Sequence, residues 1–222
     1  MRNRNVFTLI ALCAVVCFPA PSAVADPAIV NGDFSAGLTD WTVEWGDVTD
    51  GGGFALFQED VPEFPGDLPD ISSTLSQAFT LPGQALFLSF DLAMTAEGNP
   101  DPLAWPDAFT ASLLDGGTLD PLVSWDPFVT EFFLFENTGL METAVGVAVA
   151  GDTVSLDVSA WAGQDVLLSF DLWAGEDGMT TTAALDNVNV SLVPVPGAAV
   201  LGALGLASGL VGLRRKHKKA VS

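Results

Sequence analysis

Along much of the chain, apolar and polar residues alternate with a period of two. Leu86, Leu88, Phe90 and Leu92 fall on one face of a predicted strand, with Ser89 and Asp91 on the other. Val166, Leu168, Phe170 and Leu172 repeat the pattern, with Ser169 and Asp171 opposite. Successive side chains of a strand point to opposite faces, so such segments bury one side and expose the other. Further strands are predicted at 41–49, 54–58, 72–80, 108–114, 132–135, 154–158 and 183–192. Between them lie clusters of Gly, Pro and Asp at 50–53, 62–69, 98–106, 115–117 and 175–178, which supply turns. No long stretch carries a helical period. The pattern predicts an all-β protein built as a sandwich of short antiparallel strands.

Two of these strands echo each other. Residues 83–92 read GQALFLSFDL and residues 163–172 read GQDVLLSFDL, seven of ten positions matching at a spacing of 80. Solenoids repeat at shorter periods and in more copies. The echo instead predicts two sandwich strands in equivalent environments, a neighbouring pair being one such arrangement.

The two ends break the pattern. Residues 1–25 have the layout of a secretory signal peptide: Arg2 and Arg4, the apolar run VFTLIALCAVVCF, then Ala23-Val24-Ala25 before Asp26. Small residues at Ala23 and Ala25 suit signal peptidase. Cleavage there would remove Cys13 and Cys17, the only cysteines. At the other end, residues 197–213 form an uncharged, small-residue run, long enough to be a short transmembrane helix. Arg214, Arg215, Lys216, Lys218 and Lys219 follow it and would hold that end on the cytoplasmic side of the inner membrane. The organisation expected is a signal at 1–25, one sandwich domain at 26–192 and a tail at 193–222, the domain lying outside the inner membrane.

Charge then narrows the chemistry. The chain has 28 Asp and Glu against 7 Lys and Arg, with one His and no Tyr. All 28 acids lie between residues 26 and 213, and no Lys, Arg, His or Cys does. That segment cannot assemble a Ser-His-Asp or Cys-His nucleophile, a Schiff-base lysine or a His/Cys zinc site. It has no cation to clamp a phosphate, and its charge repels polyanions, so neither a nucleotide nor a nucleic acid is an expected partner. Carboxylates still permit hard-cation binding and paired-carboxylate glycoside hydrolysis. Nothing in the pattern singles out Glu59, Glu131 or Glu142 for the latter, and no enzyme activity is expected. Saccharide binding needs flat aromatic platforms beside polar groups. Trp105, Trp125 and Trp161 in loops and turns are the candidate platforms, Trp41 is expected in the core, and one of the strand residues Trp45 and Trp173 could face outward.

Two resemblances add to this. The tail order of Val193-Pro194-Val195-Pro196, then Gly197 and the apolar run, then a basic end, resembles the PEP-CTERM sorting signal. Valine at Val195 replaces the family's usual glutamate. The resemblance implies recognition by an exosortase-type transpeptidase in a Gram-negative bacterium that makes exopolysaccharide. It further implies transient residence in the inner membrane and delivery to the cell surface or extracellular matrix. An ordinary tail anchor is the alternative.

Asn31-Gly32-Asp33-Phe34-Ser35, followed by Trp41, resembles the opening of carbohydrate-binding, galactose-binding-like jelly rolls. Residues 185–190, LDNVNV, resemble their closing strand, and residues 158–164 resemble a turn before their penultimate strand. The resemblance implies a jelly-roll β-sandwich and a structural Ca²⁺ held by Asn31, Asp33 and Asp186, although Ser35 stands where the family has glutamate. The expected function is that of a non-catalytic exported surface or matrix protein. The alternatives are a saccharide-binding module, with exopolysaccharide as a partner, and a secreted glycoside hydrolase.

Overall fold

The computed structural model describes residues 28–59, 73–84 and 86–192. The expected signal segment, the turn cluster at 62–69, the proline motif and the apolar run at 197–213 lie outside the described residues. Among the described residues, no helix is long and apolar enough to cross a membrane.

Twelve strands form two antiparallel six-stranded sheets among these residues. In chain order they are β1 (Thr42–Trp45), β2 (Asp47–Asp50), β3 (Ala55–Gln58), β4 (Ser73–Thr80), β5 (Leu86–Gly98) and β6 (Ala108–Asp115). The rest are β7 (Glu131–Glu136), β8 (Met141–Thr143), β9 (Val147–Ala150), β10 (Thr153–Asp157), β11 (Asp165–Trp173) and β12 (Met179–Leu192). One sheet has the order β1-β4-β11-β6-β7-β8 and the other β2-β3-β12-β5-β10-β9. The chain crosses between sheets at most connections, and the result is a jelly-roll β-sandwich.

The alternation read from the sequence is the burial observed. In β11, Val166, Leu168, Phe170 and Leu172 are buried, and the residues between them are not. The two echoing strands lie in opposite sheets, not side by side. Each is central: β5 runs between β12 and β10, and β11 between β4 and β6. They face one another across the core, and the matching residues Phe90 and Phe170 meet edge to face with ring centroids 5.1 Å apart. Phe90 also contacts Phe132 and Phe133, while Phe170 contacts Trp41 and Phe109. The sandwich thus closes around one aromatic cluster, as edge and tilted ring geometries favour.

Several boundaries differ from expectation for physical reasons. The predicted strand at 41–49 is two strands in different sheets, because Gly46 (φ 69°) turns the chain between Trp45 and Asp47. Strands β5 and β12 are longer than predicted. Their extra length pairs Met179 with Gly98 through Ala183 with Met94, where short Ala and Thr side chains blur the alternation. The sequence pattern does not mark β8 and β9: β8 is only three residues long, and β9, Val-Ala-Val-Ala, is apolar on both faces and shows no alternation.

The opening motif works as a staple. The Asn31 side-chain amide donates to the Gly37 and Thr39 carbonyls, and its oxygen accepts from the Ala36 N–H. Trp41 Nε1 donates to the Asn31 carbonyl at 3.1 Å, and Trp41 is buried as expected. Gly32 passes so close to the Val188 carbonyl that a Cβ would overlap it, and its own carbonyl accepts from Val188 N–H at 2.8 Å. The motif therefore ties the start of the sandwich to its last strand.

Replacing Phe170 by Ala should cost about 3–5 kcal/mol, since it removes a fully buried ring from the centre of the cluster. Urea unfolding with the denaturant slope held constant measures this.

Candidate functional site

The outward face of the sheet containing β11 carries the densest polar and aromatic chemistry. One residue from each of its six strands lies in a single cross-strand row: Trp45, Thr74, Asp171, Thr110, Leu134 and Glu142. At ~4.8 Å between strands, the row spans roughly 24 Å. Beside it, Trp173 of β11 pairs with Ala108 of β6, which pairs with Glu136 of β7. On the other side, Ser76, Ser169, Ser112 and Glu131 form a second row.

Over the β6–β7 side of this face lies a groove of about 670 Å³. Trp105, Trp125 and Trp173 line it with Pro106, Val129 and Leu134. Thr110, Glu131, Glu136 and Glu176 supply its polar groups. Trp105 is 81% exposed and Trp173 39%, so both offer open ring surface. Trp173 Nε1 reaches Thr110 Oγ1 at 3.4 Å. Trp125 is partly buried against the core, and its indole N–H, shut off from solvent, has no partner among the described residues. Such an orphan donor costs about 1–3 kcal/mol.

Asp171 stands one strand from Thr110, flanked by Thr74 Oγ1 at 2.6 Å and Ser169 Oγ at 3.2 Å. Burial raises its carboxyl above the usual range. The two hydroxyls oppose that shift, and the nearby charge of Glu131 adds to it.

A second carboxylate cluster holds the groove wall from behind. Asp107 is fully buried and Asp177 nearly so. Asp107 accepts from Gly175 N–H at 2.6 Å, Thr181 Oγ1 at 2.5 Å and Asn137 Nδ2 at 2.9 Å. Asn137 Nδ2 also donates to Asp177 at 2.7 Å. Glu59 accepts from Thr181 N–H at 2.5 Å and hydrogen-bonds Asp107. Gly175 belongs to the groove lining, and a Cβ there would overlap the Trp105 carbonyl. Only glycine lets the two wall segments touch. The Glu59 carboxyl is raised from 4.5 to about 7, by burial first, then by its hydrogen bond to Asp107 and by repulsion from Asp107 and Asp177. No basic side chain in this part of the chain offsets that repulsion, so the protonated form of Glu59 is favoured.

Of the three tryptophans expected as platforms, the structure brings together Trp105 and Trp125. Trp161 ends a 3-10 turn (Ser159–Trp161), packs partly against the core and does not line the groove. Trp173 takes the third place. Both strand tryptophans left as outward candidates, Trp45 and Trp173, face out, Trp45 being 70% exposed. Trp173 lies in a strand and not in a loop, where platform tryptophans are expected. The signal was present, since Asp171 and Trp173 alternate with the buried Phe170 and Leu172. Glu131 and Glu59, which nothing in the sequence distinguished, lie in the groove and in the buried cluster. Glu142 lies at the end of the cross-strand row.

The residues expected to hold calcium line two depressions that share Asp91. Asn31 and Asp33 line one depression, with Asp91 and Asn187, while Asp186 lines another, with Asp91 and Asp152. The oxygen of Asn31 is taken by the turn, Asp33 Oδ1 accepts from Ser35 N–H and Oγ, and Asp186 Oδ1 accepts from Asn187 N–H. Among the described residues, no three acidic, His or Cys side chains converge on a metal position.

No family model matches the chain, and no curated protein matches it. Among solved structures it is similar to the carbohydrate-binding module TmCBM61 in complex with β-1,4-galactotriose. That match has 14% identity, a TM-score of 0.42 and coverage of 76% of this chain and 100% of that one. It is also similar to a CBM4 structure, at 19% identity and TM-score 0.39, covering 73% and 98% of the two chains. A third is CBM28, described as a non-crystalline cellulose specific carbohydrate-binding module, at 14% identity and TM-score 0.41, covering 75% and 96%. At such identity and overlap, the likeness says nothing about what this chain binds.

The buried cluster makes stability depend on pH with a defined sign. Because Glu59 binds its proton more tightly when folded, its contribution is complete below about pH 4.5 and is lost as pH rises to about 7. Glu59→Gln imitates the protonated acid. Thermal melts across that window should show a shallower fall for Glu59→Gln than for the parent; parallel profiles would contradict the raised Glu59 carboxyl.

Proposed function

We propose that this chain is a saccharide-binding module, and that the sugar lies in the groove walled by Trp105, Trp125 and Trp173. The convergence of these three indoles on one groove carries the reading. Pyranose rings present flat C–H faces that stack on indoles, while their hydroxyls need acceptors and donors at the edge. Thr110, Glu131 and Glu136 provide acceptors at that edge, and Thr110 a donor. The cross-strand row from Thr74 to Trp45 continues the same polar face, so a chain longer than one sugar could follow it. The reading is of binding without turnover. The raised carboxyl of Glu59 is locked to Asp107 and Thr181 and does not line the groove, so it is not placed as a general acid there.

Delivery is a separate proposal, supported by the tail sequence alone. Val193-Pro194-Val195-Pro196 before an apolar run and a basic end favours exosortase-type sorting of an exported domain to the surface or matrix. Mass spectrometry of surface-released protein should then find a C-terminus between Val193 and Gly197, whereas an intact Arg214 to Lys219 end would mean a tail anchor.

Affinity electrophoresis through gels containing soluble polysaccharides tests the binding reading. Trp173→Ala and Trp105→Ala should each weaken retardation by about tenfold or more, as loss of a central aromatic contact does. Trp161→Phe should leave retardation unchanged. Retardation that survives both groove substitutions would sink the assignment.

A further inference from the structure

We infer that the groove is specific for saccharides bearing protonated amines, a deacetylated hexosamine polymer, over neutral and acidic ones. The inference rests on the saccharide-binding reading and names the class of sugar. Its basis is the sign of every ionisable group on this face. Glu131, Glu136 and Glu176 line the groove, and Asp171 lies one strand away. No lysine, arginine or histidine occurs anywhere between residues 26 and 213, so none can answer these charges.

Carboxylates and indoles together suit one kind of sugar substituent. An ammonium on the ring is attracted to a carboxylate at the groove edge and to the face of a neighbouring indole. Asp171 shows the strain that a cation would relieve. It is half-buried, held by two neutral hydroxyls, and pushed toward its protonated form first by that burial and then by Glu131. A cation brought between these two acids would favour the charged form of both. A uronate or sulfated chain meets the opposite situation, since each of its charges would face Glu131 and Glu136 with no counter-cation. A neutral chain can stack and hydrogen-bond but gains nothing from the charges.

The general acidity of the domain could adsorb any polycation, so the test must separate the groove from the surface. Isothermal titration of residues 26–192 is run with four-residue oligomers of glucosamine, N-acetylglucosamine, glucose and galacturonate. Physiological salt is used, at a pH where the amine is protonated and ordinary carboxylates are ionised. The glucosamine oligomer should bind tighter than its N-acetylated counterpart by roughly fivefold for each ammonium engaged, and the galacturonate oligomer should not bind. The preference should shrink in Glu131→Gln, in Glu136→Gln and above the amine pKa. Trp173→Ala, which keeps every charge, should lose binding. Equal affinity for the amine-bearing and neutral oligomers would overturn the specificity while leaving the saccharide reading in place. Amine binding that survives Trp173→Ala, or that tetralysine matches, would mean surface adsorption and overturn it as well. Failure of all four oligomers to bind would overturn the saccharide reading itself.

Discussion

A segment with 28 carboxylates and no basic side chain must satisfy the acids it shields from solvent and ions with neutral donors or with protons. This constraint shapes the structure at each level. At the turns, Asp33, Asp50, Asp101, Asp115, Asp126 and Asp157 accept from backbone N–H groups two residues ahead, so the acids serve as turn formers. Between strands, hydroxyls take the place of cations: Thr74 bonds Asp171, Thr80 bonds Asp165 and Thr153 bonds Asp91. In the interior, Asn137 and Thr181 bridge Glu59, Asp107 and Asp177, and burial with the neighbouring acids raises the Glu59 carboxyl.

These solutions differ in their consequences for pH. The exposed turn acids Asp33, Asp115 and Asp157 are pulled below the usual range by their hydrogen bonds, so they favour the fold once ionised. The buried cluster has the opposite sign. It sits behind the loop that brings Gly175 against Trp105, Asp107 accepting from the Gly175 N–H.

Much of the fold was legible because strand alternation is a local property. Phe90 and Phe170 could each be assigned to the core from their neighbours alone, and the echo around them marked two strands in equivalent environments. Which sheet each joined was not legible, because pairing is decided by residues far apart in sequence. The same limit governs the site. Trp105 and Trp125 stood out because loop tryptophans beside prolines are conspicuous. Trp173 did not, since a tryptophan in a strand reads equally as core until the burial of Leu172 fixes which face it shares. The Glu59–Asp107–Asp177 cluster draws on three separate segments and leaves no trace in spacing. At the opening motif, the resemblance to a jelly-roll start was informative about folding. The Asn31 side chain closes a turn, and its backbone carbonyl anchors Trp41.

In the proposed function, a sugar stacks in the groove of Trp105, Trp125 and Trp173. The six indole N–H resonances of this chain offer a direct reading of it. In a nitrogen-15 labelled sample titrated with amine-bearing and neutral oligosaccharides, the Trp105, Trp125 and Trp173 resonances should move together and saturably. The Trp41 and Trp161 resonances should stay in place. Saturable shifts at Trp161 with the groove indoles unmoved, or no shift with any oligosaccharide, would contradict the claim.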